Sequence, residues 1–242
     1  MTSTGFLILR GFLVESRLIL GIDNSSDFLN IALSRGNALI EERQMKSEEP
    51  PSQALPGQVV DVLTSHGYKV ADLSLIVVTL GPGSFTGIRV ALAFAKGISA
   101  GKDIPMVGIP TLDALALPFS FMEGHYLCPL VDAKKGEVFY ALYHVSGGNM
   151  ERLTEYKAIK PKDILHVIKT PCLCFGTGAA LCEEFLSSLE NITIIKDGFT
   201  RVSMERLLKE GLKRTEKQQV QDLKPIYGRR SEAEIKFNVT VT

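Results

Sequence analysis

From Arg17 onward the apolar and polar positions fall into blocks with distinct periods. "RLILGID" is an apolar run suited to a buried strand, "DFLNIALSRG" alternates with period two into a glycine turn, and "ALIEERQMKS" reads as a third strand. Leu55, Val59, Val60 and Leu63 then recur at helical spacing and predict a helix from about Ser52 to His66, whose first turns Pro56 and Gly57 weaken. "LSLIVVTL" predicts a strand buried on both faces. "TLGPGSFTGIRVALAFAKG" passes through a glycine-rich turn into an alanine-rich helix, and "PMVGIP" with a short helix near Leu112 to Leu117 closes the block.

The same order then starts again. "YLCPLVDA", "EVFYALYHV" and "EYKAIK" read as strands, "PKDILHVI" as a helix with Pro161 at its start, "CLCFG" as a strand and "GAALCEEFLSSL" as a helix. "ITIIKDG" and the helix "SMERLLKEGLKR" follow. Three strands, helix, strand, helix, occurring twice, predicts an α/β protein of two RNase-H-like lobes facing a cleft, the actin-like ATPase (ASKHA) arrangement in which ATP lies in that cleft. The expected organisation is an extension at 1–16, a first lobe at 17–105 joined by a C-terminal helix at about 201–230, a second lobe at 106–200 and a tail at 231–242.

Composition removes several function classes. Lys plus Arg and Asp plus Glu both total 27 of 242 residues, so no bulk field draws in RNA or an anionic membrane. The apolar "GFLILRGFLV" is interrupted by Arg10, with no charged segment before it and no small-residue cleavage site after it, and is read as an extension and not a signal peptide. No stretch reaches the roughly 18 apolar residues of a membrane helix. Cys128, Cys172, Cys174 and Cys182 contain no CxxC pair, and reduced thiols in a cytoplasmic protein are expected.

The glycine-rich turn is the first chemical candidate. Gly81, Gly83 and Gly87 permit positive φ and close backbone approach, Ser84 or Thr86 can cap the helix, and the free N–H groups there attract an anion. "GPGSFTGI" is not a Walker A loop, having isoleucine where the lysine would stand. Ser84 is no nucleophile elbow, because Thr86 replaces the glycine that GxSxG requires. On a helical wheel Ile88, Ala91, Phe94, Ala95 and Ile98 line one side of the following helix, and Arg89, Leu92, Ala93, Lys96 and Gly97 the other. Ala93 and Gly97, four apart, leave a groove that would admit a second helix.

"LILGIDNSS", "GPGSFTGIRVALAFAKGI", "PMVGIPTLDALA", "VDAKKGEVFYALY" and "LKPIYGRR" together resemble the TsaB (YeaZ) family of the bacterial threonylcarbamoyladenosine pathway, over about residues 18 to 230. The resemblance implies a subunit that pairs with its paralogue TsaD, works with the ATPase TsaE, and supports N6-threonylcarbamoyl modification of the adenosine beside the anticodon in ANN-decoding tRNAs. It implies no active site of this chain's own; no metal site and no required cofactor are expected, and tRNA contact is expected only within the complex. It also implies a helix pair, about 53 to 66 and 87 to 99, that docks on the same pair in TsaD or on a second copy in a homodimer. On that basis Gln53, Leu55, Val59, Arg89, Leu92, Ala93, Lys96 and Gly97 are the expected interface. ATP or ADP with Mg at the partner junction would involve Asp23, Gly81, Gly83, Ser84, Gly87, Asp132, Gly176 and Gly178. Two departures stand out: "EEPPSQALPG" precedes the first helix where the family often has histidine, and Asn24 follows Asp23 where the family often has threonine.

Three activities compete. An ASKHA phosphotransferase would use Asp23 and Asp132 beside Mg²⁺, yet "DNSSD" lacks the glycine that lets a hairpin approach the phosphates. A metalloprotease would need a histidine pair, whereas His66, His125, His144 and His166 are isolated, and Cys172 and Cys174 lack a second pair. A non-catalytic scaffold that activates a paralogous enzyme accounts for both the kept fold and the missing groups. Lys224, Arg229, Arg230 and Lys236 form a basic tail, read either as a solvated end or as a contact to tRNA phosphates within the complex.

Overall fold

In the computed structural model, which describes residues 16–46, 49–216 and 223–229, the apolar run after Arg17 is β1 (Leu18–Asp23), buried along its whole length. It forms an antiparallel meander with β2 (Leu29–Arg35) and β3 (Ala38–Met45). β4 (Leu73–Thr79) lies parallel to β1, and β5 (Met106–Ile109) parallel to β4, giving the order β3-β2-β1-β4-β5. The expected helices are α1 (Pro51–Ser65), between β3 and β4, and α2 (Phe85–Lys102), between β4 and β5. Both crossovers advance in the same direction along the strand order, so right-handed connection puts both helices on one face of the sheet.

The opposite face belongs to α5 (Met204–Glu216), which returns from far along the chain to pack on β1, β2, β4 and β5. Close approach there depends on absent side chains. A Cβ on Gly21 would meet the Leu208 side chain at 3.0 Å, and one on Gly211 would meet Val77 at 2.3 Å. Leu207, Leu208 and Leu212 are buried, and each such leucine contributes about 1.5–3 kcal/mol of burial.

The chain divides into two compact units, the first comprising residues up to Leu80, Thr86–Ile109 and Met204–Lys224, the second Gly81–Phe85, Pro110–Ser203 and Pro225 onward. The second unit includes α3 (Thr111–Ala116). Its sheet runs β10-β7-β6-β11-β12, built from β6 (Tyr126–Lys134), β7 (Glu137–Tyr140), β10 (Lys157–Ile159), β11 (Cys172–Phe175) and β12 (Ile192–Ile195), with α4 (Ala179–Leu186) after β11.

Two expectations in this unit change. "EVFYALYHV" is not one strand: β7 pairs with the end of β6, while β8 (Tyr143–Ser146) pairs with Tyr126 and Leu127 at its start and continues into β9 (Asn149–Arg152). The break falls at Ala141–Leu142, where Leu142 N–H donates to Thr154 Oγ1 at 2.9 Å instead of to a strand. "PKDILHVI" is a 3₁₀ turn at Pro161–His166 and not an α-helix, because its only buried anchor is Ile164. The four cysteines, distant in sequence, share one core: Cys128 and Cys174 are register partners on β6 and β11, with Cys172 and Cys182 in the same cluster. A hydrogen bond to Cys174 and then burial push the Cys128 thiol well above its usual range, and burial pushes Cys182 up to about 12.

Candidate functional site

The α1–α2 layer has two sharply different sides. On α1, Leu55, Val59, Val62 and Leu63 are at most 1% exposed, and on α2 the stripe Gly87, Ile88, Ala91, Leu92 and Ala95 is buried. Outward stand Gln53, Pro56, Gly57, Val60 and Asp61 of α1, and Arg89, Ala93, Lys96 and Gly97 of α2. Of the expected interface residues, Gln53, Arg89, Ala93, Lys96 and Gly97 are therefore on the surface. Leu55, Val59 and Leu92 are core residues, a correction with a simple geometric cause. The buried stripe of α2 is centred between Ile88 and Ala95, and Leu92 falls within it; on α1, Val60, 48% exposed, is the outward apolar residue.

Beyond the adjacent residues and the backbone of its own helix, a Cβ placed on Gly57 or on Gly97 would have no atom within 4 Å. A groove of about 510 Å³ runs along the Gln53–Gly57–Asp61 edge of α1, closed on its other side by Met45 and Glu49. The C-terminal end of α1 is tied to β3 by His66 Nε2 and Glu41 Oε2 at 2.6 Å, and Glu41 also accepts from Arg43 Nε. Arg43 and then His66 hold the Glu41 carboxyl below its usual range.

The unit boundary falls inside the glycine-rich stretch, since Gly81–Phe85 groups with the second unit and Thr86 onward with the first. Gly81 has φ +94°, which only glycine adopts without strain, and its carbonyl accepts Thr111 N–H at 2.8 Å. Gly83 and Ser84 are half-buried, and Gly87 is buried in the first turn of α2.

Asp23 and Asp132 have unlike surroundings. Asp23 is 1% exposed, and its carboxylate accepts four hydrogen bonds: Ser25 N–H (3.1 Å), Ser25 Oγ (2.6 Å) and Thr79 Oγ1 (2.8 Å) at Oδ1, and Asn30 Nδ2 (2.9 Å) at Oδ2. Gln44 Nε2 in turn donates to Asn30 Oδ1 at 2.8 Å, so one polar chain joins β3, β2, β1 and β4. This carboxylate, buried and filled by protein donors, does not fit a metal-proximal role. Asp132, in the second unit, is partly exposed; its Oδ1 accepts Lys134 N–H at 2.7 Å, and Lys134 Nζ lies 3.3 Å from Oδ2.

Gly176 and Gly178 have packing reasons of their own. A Cβ on Gly176, at φ +106°, would sit 2.3 Å from the Leu130 carbonyl oxygen, and one on Gly178 would sit 3.1 Å from Asp132 N. Among the described residues no three or more His, Cys, Asp or Glu side chains come together as a metal-binding group, and no helix is long and apolar enough to cross a membrane. Arg229 of the basic tail donates to the Ala133 carbonyl at 3.3 Å and lies 3.7 Å from Glu137, while Arg230 and Lys236 lie outside the described residues. Sequence reasoning misses the hydrogen-bond set around Asp23, because Asn30, Gln44 and Thr79 carry no motif; its one local signal is the Ser25 that follows two residues after the aspartate.

Residues 48–237 match the protein family described as TsaD, tRNA N6-adenosine threonylcarbamoyltransferase. A Bacillus subtilis (strain 168) protein described as tRNA threonylcarbamoyladenosine biosynthesis protein TsaB is 30% identical over 174 residues, covering 71% of this chain and 76% of that protein. The Escherichia coli (strain K12) protein of the same description is 30% identical over 149 residues, covering 61% of this chain and 64% of that protein, just under two thirds of its length. Among solved structures, YeaZ from Pseudomonas aeruginosa superposes with a TM-score of 0.71 at 20% identity, covering 87% of this chain and 99% of that one. That likeness shows the fold.

Proposed function

We propose, from the premise that this chain belongs to the TsaB family, that it is a non-catalytic subunit in tRNA threonylcarbamoyladenosine formation, and that it docks a TsaD paralogue through the outward face of α1 and α2. The observation that carries the reading is the openness of Gly57 on α1 and Gly97 on α2, shared by Gly101 near the end of α2. Glycine inside a helix costs about 1 kcal/mol relative to alanine. Gly21, Gly108 and Gly211 of the same unit each have a neighbour that a Cβ would strike at 3.0 Å or less, whereas Gly57 and Gly97 have none within 4 Å. Nothing among the described residues requires their bareness; the close approach of a second helix pair would.

The outward face mixes small residues with Arg89 and Lys96 on α2 and Asp61 on α1, so a partner face of the same design can meet it with opposite charges aligned. Docking activates the partner only if this chain binds the partner's active arrangement more tightly than its inactive one. TsaE and tRNA would join through the complex, and a second copy would occupy the same face when the paralogue is missing. Nucleotide is not needed for docking. A phosphotransferase reading has less support, because Asp23 already accepts four internal hydrogen bonds.

The test is co-elution. Purified chain mixed with the TsaD paralogue should elute earlier than either alone, and the chain alone should turn over no ATP. An unchanged elution volume, or ATP turnover by the chain alone, would refute the proposal.

A further inference from the structure

We infer that Asp23 and Asn24, at the end of β1, form a positioning device for the docking helix: Asp23 fixes the end of the strand and Asn24 hooks the first turn of α2. The inference rests on the docking role proposed above and says what sets the geometry of that surface.

Asn24 is 3% exposed, and its Nδ2 donates to the carbonyl of Gly87 at 3.2 Å, across 63 residues of sequence. A first-turn carbonyl already serves the helix ladder, so the Asn24 amide takes its second lone pair and ties α2 to the sheet from outside. The donor itself is held still. Asp23, next in the chain, accepts from Ser25, Asn30 and Thr79, and through Asn30 it is linked to Gln44 of β3. A long side-chain hydrogen bond orders a helix only if its anchor does not move, and this anchor is bonded across four strands. Gly87 stands two residues before Arg89 and ten before Gly97, so a shift of this turn displaces the whole outward row. A surface presented in one orientation loses less freedom on binding than one that must be ordered. The carboxylate that reads as a metal-proximal group in sequence instead bonds Ser25, Asn30 and Thr79, and so fixes the strand end that Asn24 directly follows.

The test uses the full chain with Asn24→Ala and, as a variant that keeps the branching at Cγ without a donor, Asn24→Leu. Leu212→Ala on α5, on the other face of the sheet, serves as a control that lowers stability without touching the hook. Three readouts are needed: thermal midpoint, affinity for the TsaD paralogue, and amide exchange of residues 88 to 92. Loss of one hydrogen bond of ordinary strength corresponds to about a fivefold change in an equilibrium. The expected result is a paralogue affinity about fivefold weaker in both Asn24 variants, with faster exchange confined to the start of α2. Leu212→Ala should lower the midpoint more while leaving affinity unchanged. Affinity unchanged in both Asn24 variants, or weakened equally by Leu212→Ala, would overturn the inference. Failure of the unaltered chain to bind would instead remove the docking role itself, so the two outcomes are separable.

Discussion

The two helical layers on the first sheet use the same residue for opposite ends. On the α5 side, Gly21 and Gly211 are closed, with Leu208 and Val77 standing where a Cβ would go. On the α1–α2 side, Gly57 and Gly97 are open, and no atom approaches. A glycine count along the chain does not separate these populations; what surrounds each missing side chain does. Closed glycines are explained by the packing of the unit itself, and Gly57 and Gly97 are not.

The largest effect expected from this contrast is on binding. Gly97→Leu should abolish co-elution with the paralogue while leaving the thermal midpoint unchanged or raised; retained co-elution would put the docking surface elsewhere. Next is the closed class. Gly211→Ala drives a methyl into Val77 and should cost about 1–3 kcal/mol in chemical denaturation, the usual range for overpacking. Gly97→Ala should do the reverse and stabilise by about 1 kcal/mol, because the helix gains a better former and meets no obstacle. Equal destabilisation of the two variants would erase the distinction between the layers.

The smallest effect concerns charge on the α5 side. Partial burial and then the neighbouring Glu205 raise the Glu42 carboxyl above its ordinary range. A carboxyl whose folded pKa is raised favours the folded state below its unfolded value, and that contribution is lost as pH rises through the folded value. Glu42→Gln, which cannot ionise, should therefore raise the denaturation midpoint slightly at about pH 7, and the gain should vanish below about pH 4. A gain of the same size at both pH values would point to packing and not to charge.

Much of the architecture is legible in the periods of the chain. β1 to β4, α1 and α2 follow directly from alternation, helical spacing and turn residues, since each period reflects a local geometry. What is not legible depends on partners distant in sequence. Leu92 reads as surface on a wheel because α2 is apolar nearly all round, and only packing decides which apolar positions are core. "EVFYALYHV" reads as one strand because its composition is uniform, while its break is dictated by β6, which offers separate stretches to β7 and β8. Asp23 reads as a metal-proximal residue from its place after a strand, and its four hydrogen bonds come from Ser25, Asn30 and Thr79, of which only Ser25 is close in sequence. The convergence of Cys128, Cys172, Cys174 and Cys182 has the same origin, for pairing of β6 with β11 brings together residues far apart along the chain.

The late arrival of α5 has a consequence during synthesis. The five strands of the first sheet have all been translated by Ile109, yet the helix that covers Gly21 and Val77 begins only at Met204. While the ribosome makes the intervening residues, one side of that sheet is naked, with Val77 offered to any passing hydrophobic surface. A nascent chain halted before codon 204 should thus be a client for holdase chaperones, and one released after codon 216 should not.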